Sequence, residues 1–321
     1  LWLEAARRLG TPHPTLSVRV HDKMNEDFAL KAAELCSLGR GYPTFFGDES
    51  NIGFLRKQGI PENEARDYAI AGCTLTQVPG KMAPANPFGM NIPKFLELTL
   101  HNGVDPRTGR QFGPQTGSFE SFNNFEDLWE AYRQQVRSYI RHGADDFRKA
   151  SLFQATVLPH LFPSILADDC IKRGQPHNGQ GCRYQQGMWY LLPQGPIDVA
   201  DSLAAIKKCV YEDKTITRGQ LMEALAADFE GEKNQTVRQV LLSAPKYGND
   251  DDYVDLIARD VYSMLDIELA VINACYGAKY VQAPHSLTGH GAFGRAVGAL
   301  PSGRRAWVAL ADGNASPSQG M

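Results

Sequence analysis

Tyr68-Ala69-Ile70-Ala71-Gly72-Cys73-Thr74-Leu75-Thr76-Gln77-Val78-Pro79-Gly80 is the stretch on which the fold turns. Its first four residues are apolar and read as a short buried strand. Gly72 breaks the run, and a polar segment closing on Pro79-Gly80 follows, which is turn chemistry. A thiol at that junction stands where a scaffold presents a reactive group to a cavity. No histidine nearby in sequence offers itself as a base, so a thiolate nucleophile of the papain kind is not indicated.

Outward from this stretch, helices are marked by 3.6-residue periodicity and by end signals. Leu1–Gly10 reads as helical. Asn25–Leu38 opens on Asn-Glu-Asp and closes at Gly39; Pro61–Ala69 has proline at its entry and acids in its first turn. Ile92–His101, Phe125–Lys149, Asp198–Tyr211, Arg218–Phe229 and Asp251–Cys275 follow. Ala155–Leu158 and Trp189–Leu192 are further strand candidates. Helices alternating with brief buried strands indicate an α/β layered or barrel architecture. No repeat or linker divides the chain, so residues 1–321 read as a single partial domain, with 76–90 and 174–196 as long loops inside it.

The 321 residues carry a net charge of −3 and are 43% hydrophobic. That balance leaves no electrostatic footprint for nucleic acid or an anionic membrane. No apolar run reaches the roughly 18–20 residues of a membrane helix. Six cysteines lie at long, irregular spacings without a C-x-x-C pair, which suggests reduced thiols in a cytoplasm and no structural metal. Neither Leu1 nor Gln319-Gly320-Met321 reads as a natural terminus, so an internal fragment is expected.

Gly289-His290-Gly291-Ala292-Phe293-Gly294 fits the spacing of a dinucleotide fingerprint, but it is flanked by Pro284, Gly298, Pro301 and Gly303, and a structural glycine loop is the expectation. His285 and His290 lie five apart with no carboxylate beside them, and Asp250-Asp251-Asp252 suits a helix entry better than a cation.

Several separated words give the chain its kinship. Gly41-Tyr-Pro-Thr-Phe-Phe-Gly-Asp48-Glu49, Ala65-Arg-Asp-Tyr68 and Ala71-Gly72-Cys73 resemble the cysteine-loop region of glycyl radical enzymes. Asp201-Ser-Leu-Ala-Ala-Ile-Lys207-Lys208, Ala244-Pro-Lys-Tyr-Gly-Asn249-Asp250, Pro301-Ser-Gly-Arg304 and Leu310-Ala-Asp312-Gly313 resemble further words of that family, in its order. The resemblance implies part of a ten-stranded α/β barrel, helix-rich, with Cys73 as the thiyl-radical residue at its centre. It also implies a glycyl radical on a C-terminal loop whose Arg-Val-x-Gly-Tyr-like word is absent here. An activating enzyme with an iron–sulfur cluster and S-adenosylmethionine would install that radical, and the chain itself would bind no cofactor or metal. Oxygen sensitivity of such radicals implies an anaerobic organism.

Residues beside Cys73 bear on the reaction. Diol and glycerol dehydratases, choline lyase and arylacetate decarboxylases resemble one another in a Gly-Cys-Val-Glu word, whose Glu handles protons; Leu75 stands at that place here and cannot. The resemblance then favours the alkylsuccinate and benzylsuccinate synthases, which add a hydrocarbon to fumarate without that acid, with small accessory subunits and a homodimer of large subunits as partners. In that reading Leu75, Gln77, Val78 and Trp189 line the substrate pocket, and Lys81 or Arg183 holds a fumarate carboxylate. The alternative is a diol, glycerol or choline type dehydratase or lyase with its acid/base outside the Cys73 loop, Asp48, Glu49 and His285 being the first places to look.

Overall fold

Asn25, Thr217 and other residues that favour turns over helix interiors set the element boundaries of the computed structural model. It describes residues 1–311 except 12, 73, 84–85, 185–188, 277–279 and 285–288, with side chains also left aside at 86, 87, 189 and 276. In chain order the first elements are α1 (Trp2–Leu9), β1 (Ser17–Val20), α2 (Glu26–Cys36), β2 (Thr44–Gly47), α3 (Asp48–Lys57), α4 (Glu62–Ala65), β3 (Ala69–Ala71), β4 (Leu75–Gln77), β5 (Asn86–Asn91) and α5 (Ile92–Leu100). Then come α6 (Phe125–Val157), α7 (Leu161–Leu166), α8 (Cys170–Arg173), β6 (Trp189–Gln194), α9 (Pro196–Ile206), α10 (Arg218–Ala226), α11 (Glu232–Ser243), α12 (Asp252–Tyr276), β7 (Tyr280–Gln282) and α13 (Gly289–Gly294).

The chain clusters into two compact units. Unit 1 holds Leu1–Ala85 and Gln154–Gly187, and unit 2 holds Asn86–Phe153 and Met188–Met321. In unit 1, β1 and β2 pair in parallel, β3 and β4 form an antiparallel hairpin, and Met82 bridges Tyr184. Asn25 caps α2 by accepting the Phe28 N–H at 3.1 Å, the cap expected from its place before the apolar stripe.

Unit 2 is built on the parallel sheet β5–β6–β7. Every residue of α9 is buried, and α5, α11 and α12 pack around it. Thr217 and Gln220 close a capping box at the start of α10. The segment after α9, Lys207–Glu212, widens into a π-helix, so the predicted Asp198–Tyr211 helix changes pitch near its end.

Four expectations change here, the first being that the loop expected over 76–90 is bounded by strands β4 and β5. Ala155–Leu158 is no strand: residues up to Val157 complete the 33-residue α6, because a four-residue apolar run carries no period of its own. The helix predicted over Pro61–Ala69 shrinks to α4. The glycine-rich 289–294 segment is the short helix α13 instead of a loop. A Cβ on Gly294 would lie 2.0 Å from the Val308 carbonyl oxygen, so close backbone approach accounts for that glycine. No helix among the described residues is long and apolar enough to cross a membrane.

Candidate active site

Register fixes the geometry of the β3–β4 hairpin. Ala69 lies opposite Gln77, Ile70 opposite Thr76 and Ala71 opposite Leu75, which leaves residues 72–74 as a three-residue connection. Gly72 takes φ +62°, a left-handed conformation that costs least without a Cβ. Cys73 itself lies outside the described residues, as does the side chain of Trp189. Alternation along β4 sends Thr76 one way and Leu75 and Gln77 the other. The Thr76 hydroxyl reaches Asn51 Oδ1 of α3 at 2.5 Å. Gln77 is half-buried, and its Nε2, sealed from solvent, has no acceptor among the described residues. Val78 is buried, and its N–H points at Met82 Sδ, 3.2 Å away.

The hairpin's entry is held by Asp48, the first residue of α3. Arg19 of β1 grips both Asp48 oxygens at 2.8 Å, and the Tyr68 hydroxyl donates to Oδ1 at 2.8 Å. Arg19 also donates to the carbonyls of Arg66 and Tyr68 and lies 4.0 Å from the Tyr68 ring centroid. The Arg19 guanidinium, with help from Tyr68, keeps the Asp48 carboxyl below its ordinary range. Burial, with Asp48 beside it, pushes the Tyr68 hydroxyl up to about 12. Asp48, first among the residues named for an acid/base role, is thus ionised and fully engaged in positioning the strand before Cys73. Glu49 is exposed, and His285 lies outside the described residues.

A second cluster in unit 1 centres on Glu64. It accepts from the Tyr184 hydroxyl at 2.8 Å and from Arg183 Nη1 at 2.8 Å, with Lys81 Nζ at 3.5 Å. The Tyr184 hydroxyl and then Arg183 hold the Glu64 carboxyl low. Arg183 also contacts Asp168 at 3.1 Å and Asp169 at 3.2 Å. Both cations named for a fumarate carboxylate are therefore paired with carboxylates of this chain. Sequence inspection missed Glu64 and Tyr184, and no local signal marks them, since Glu64 and Arg183 are 119 residues apart.

The remaining family words converge on α9 in unit 2. Asp201 accepts the Tyr247 N–H at 2.9 Å, Ser202 Oγ accepts the Ser302 N–H at 3.2 Å, and Asp198 accepts the Ala311 N–H at 2.9 Å. Buried Arg304 donates to the carbonyls of Gly294, Gly298 and Val308. These residues shape loops; they are placed to hold backbone. Among the described residues, no group of three or more His, Cys, Asp or Glu side chains is arranged to hold a metal ion.

Residues 1–294 match the family described as pyruvate formate lyase-like. The chain is 34% identical to an indoleacetate decarboxylase of Tractidigestivibacter scatoligenes, an alignment covering 100% of this chain and 39% of that protein. It is 33% identical to an isethionate sulfite-lyase of Nitratidesulfovibrio vulgaris, over 98% of this chain and 38% of the relative. A solved structure concerned with 1,2-propanediol dehydration in Roseburia inulinivorans superposes with a TM-score of 0.89 at 34% identity, over 97% of this chain and 39% of that one. The chain spans about two-fifths of the length of these relatives.

These likenesses bear out the helix-rich α/β barrel fold and overturn the expectation of hydrocarbon addition to fumarate. The relatives are a decarboxylase, a sulfite-lyase and a diol-dehydration structure, and none of them is a succinate synthase. Leu75 misled because it removes an acid from one position only, and proton transfer can be served from another segment. With fumarate gone, the accessory subunits and dimer tied to that chemistry are no longer implied. The chain belongs to the pyruvate formate lyase-like family of glycyl radical enzymes.

Proposed function

We propose that these 321 residues are one partial domain of a glycyl radical dehydratase or lyase that acts on a small polar substrate, of the diol, glycerol or choline type, through Cys73. The observation that carries this reading is the hairpin: β3 and β4 flank Cys73 in sequence, and Gln77 on β4 keeps a buried amide donor without a partner among the described residues. A buried donor left unpaired costs about 1–3 kcal/mol, and a substrate oxygen would relieve that cost. Apolar hydrocarbons have no such oxygen. Likeness to a decarboxylase, a sulfite-lyase and a diol-dehydration structure supports the same class.

The radical itself, installed on a glycine of the complete enzyme by a radical S-adenosylmethionine activating enzyme, supplies the oxidising equivalent. Cys73 gives its thiol hydrogen atom to the glycyl radical, takes one as a thiyl radical from a substrate C–H bond, returns it to the product-related radical, and then recovers a hydrogen atom from that glycine, so that thiol and stored radical are both restored. Leu75 and Val78 keep water from this hydrogen exchange. Gln77 Nε2 orients the substrate by donating to a hydroxyl or carboxylate oxygen. The proton needed for elimination comes from a group outside the hairpin.

Two substitutions in the complete, anaerobically activated enzyme test this. Cys73→Ala abolishes turnover while the glycyl radical signal remains in the electron paramagnetic resonance spectrum; turnover surviving that change would sink the assignment. Gln77→Leu lowers kcat/KM about tenfold to a hundredfold for a hydroxylated substrate. Unchanged kinetics would remove Gln77 from the site and leave Cys73 to stand alone. Product analysis with propane-1,2-diol, glycerol and choline in parallel identifies the substrate.

A further inference from the structure

Unit 2 contains two adjoining cavities that no step of the proposed reaction uses. One, of about 570 Å³, is lined by Arg107, Arg295, Trp307, Ala292 and Ala296. The other, of about 560 Å³, shares Arg107 and Ala296 with it and runs along β5, α5 and α6 between buried Phe95 and Leu98, partly buried Phe293, and exposed Phe112 and Tyr139. Volumes of this size are those of ligand pockets, which pair apolar walls with a few convergent polar groups.

Charge is divided unevenly between mouth and interior. Inside, Lys94 is neutralised by Glu97 and by Asp105 at 2.6 Å, and Asp105 also accepts from Thr108 at 2.7 Å. At the mouth, Arg107 and Arg295 have no carboxylate partner among the described residues. The Arg107 guanidinium lies 5.5 Å from the Trp307 ring centroid. Trp307 is half exposed and sits at φ +63°, a strained conformation for a bulky residue of the kind that gathers at ligand clamps. Deeper in, Gln135 is 1% exposed; its Nε2 donates to the Pro114 carbonyl at 2.8 Å and to Thr116 Oγ1 at 3.0 Å, which fixes the amide orientation. Among the described residues its Oε1 then remains buried without a donor, as does Asn91 Oδ1. Gly89 leaves room for Phe293 to form the wall, since a Cβ there would meet its ring at 3.0 Å.

We propose that this paired cavity binds a small amphipathic anion, its carboxylate, sulfonate or phosphate held by Arg107 and Arg295 beside Trp307 and its apolar body lodged between Phe95, Leu98, Phe112 and Phe293. Arginine suits the head because its fork matches such oxyanions and stacks on an aromatic ring. Apolar burial of the body supplies affinity, and the two arginines select the charge.

Calorimetric titration of the complete enzyme with decanoate tests this, with 1-decanol and decyltrimethylammonium as uncharged and cationic controls. Decanoate binds saturably, one per chain. Decanol binds at least about tenfold more weakly, and the cation does not bind. Arg107→Gln and Arg295→Gln each weaken decanoate about tenfold, and the double variant about a hundredfold, with no effect on decanol. Ala296→Trp, which keeps both arginines but fills the shared wall, abolishes binding at an unchanged melting temperature. Affinity that ignores the arginines, or survives Ala296→Trp, overturns the site. Sedimentation with anionic phospholipid vesicles in the absence of saturable decanoate binding overturns it in favour of a surface contact.

Discussion

The neighbourhood of the cysteine hairpin and the neighbourhood of α9 are held by different forces. Around the hairpin, strands of three residues depend on half-exposed ion pairs: Arg19 with Asp48, and Arg183 with Glu64. Around α9, eleven consecutive buried residues sit in an apolar cluster, and the polar groups there (Asp198, Asp201, Ser202, Arg304) are buried and spent on backbone N–H and carbonyl groups. A two-stranded hairpin this short is marginal alone. Its position therefore rests on side-chain contacts that can be loosened without unfolding the rest, whereas the α9 region can fail only with the whole of unit 2. The proposed chemistry uses the adjustable element, and the family words elsewhere in the chain maintain the rigid one.

The sharpest way to break that contrast is Arg304→Met. It strips charged donors from the carbonyls of Gly294, Gly298 and Val308 in a buried setting, and about 3–5 kcal/mol of global stability is expected to go. Urea denaturation followed by circular dichroism checks it. A loss below about 1 kcal/mol would show that α9 is no more rigidly held than the hairpin.

Acid titration separates the regions by sign. Burial, reinforced by Asp201, pushes Asp198 up to about 6 from an ordinary 3.8. Its protonated form is favoured on folding, so Asp198 binds more protons folded than unfolded between pH 4 and 6. Stability consequently falls as pH rises through that window, by up to about 3 kcal/mol in total. Asp198→Asn flattens that slope. Asp48 works the other way: its folded-state value is depressed, so its contribution is present above pH 4 and is lost as pH falls through the folded value.

The sequence carried these regions unequally. Helices with end signals in the sequence were legible: Asn25 before Glu26, Pro93 and Asn102-Gly103 around Ile92–Leu100, and Thr217 before Arg218. The polar α3 and α11 were not, because each starts after a glycine, Gly47 or Gly231, that offers no side-chain cap, and each buries only two residues. Strand β5 starts Asn86-Pro87-Phe88-Gly89, whose proline and glycine read as loop. The hairpin was visible as an apolar run broken by Gly72-Cys73. Its supports were not, since Arg19, Asp48 and Tyr68 meet across 29 and 20 residues of chain. The reaction class was misread from one side chain, Leu75, because a single position excludes an acid there and nowhere else.

Asp48→Asn is the smallest and most local test. Asparagine keeps one acceptor for Tyr68 or Arg19 but loses the paired charge, and with Arg19 about one-third exposed the solvent already screens part of that interaction. A cost of about 1–2 kcal/mol is expected, and it should fall on the hairpin alone. Hydrogen exchange at amides 69–77 then quickens about tenfold while those of α9 and α12 stay protected, because opening three-residue strands does not require unit 2 to unfold. Exchange quickening equally in both units would mean that the ion pair supports the entire fold, and the division between an adjustable site and a rigid scaffold would be lost.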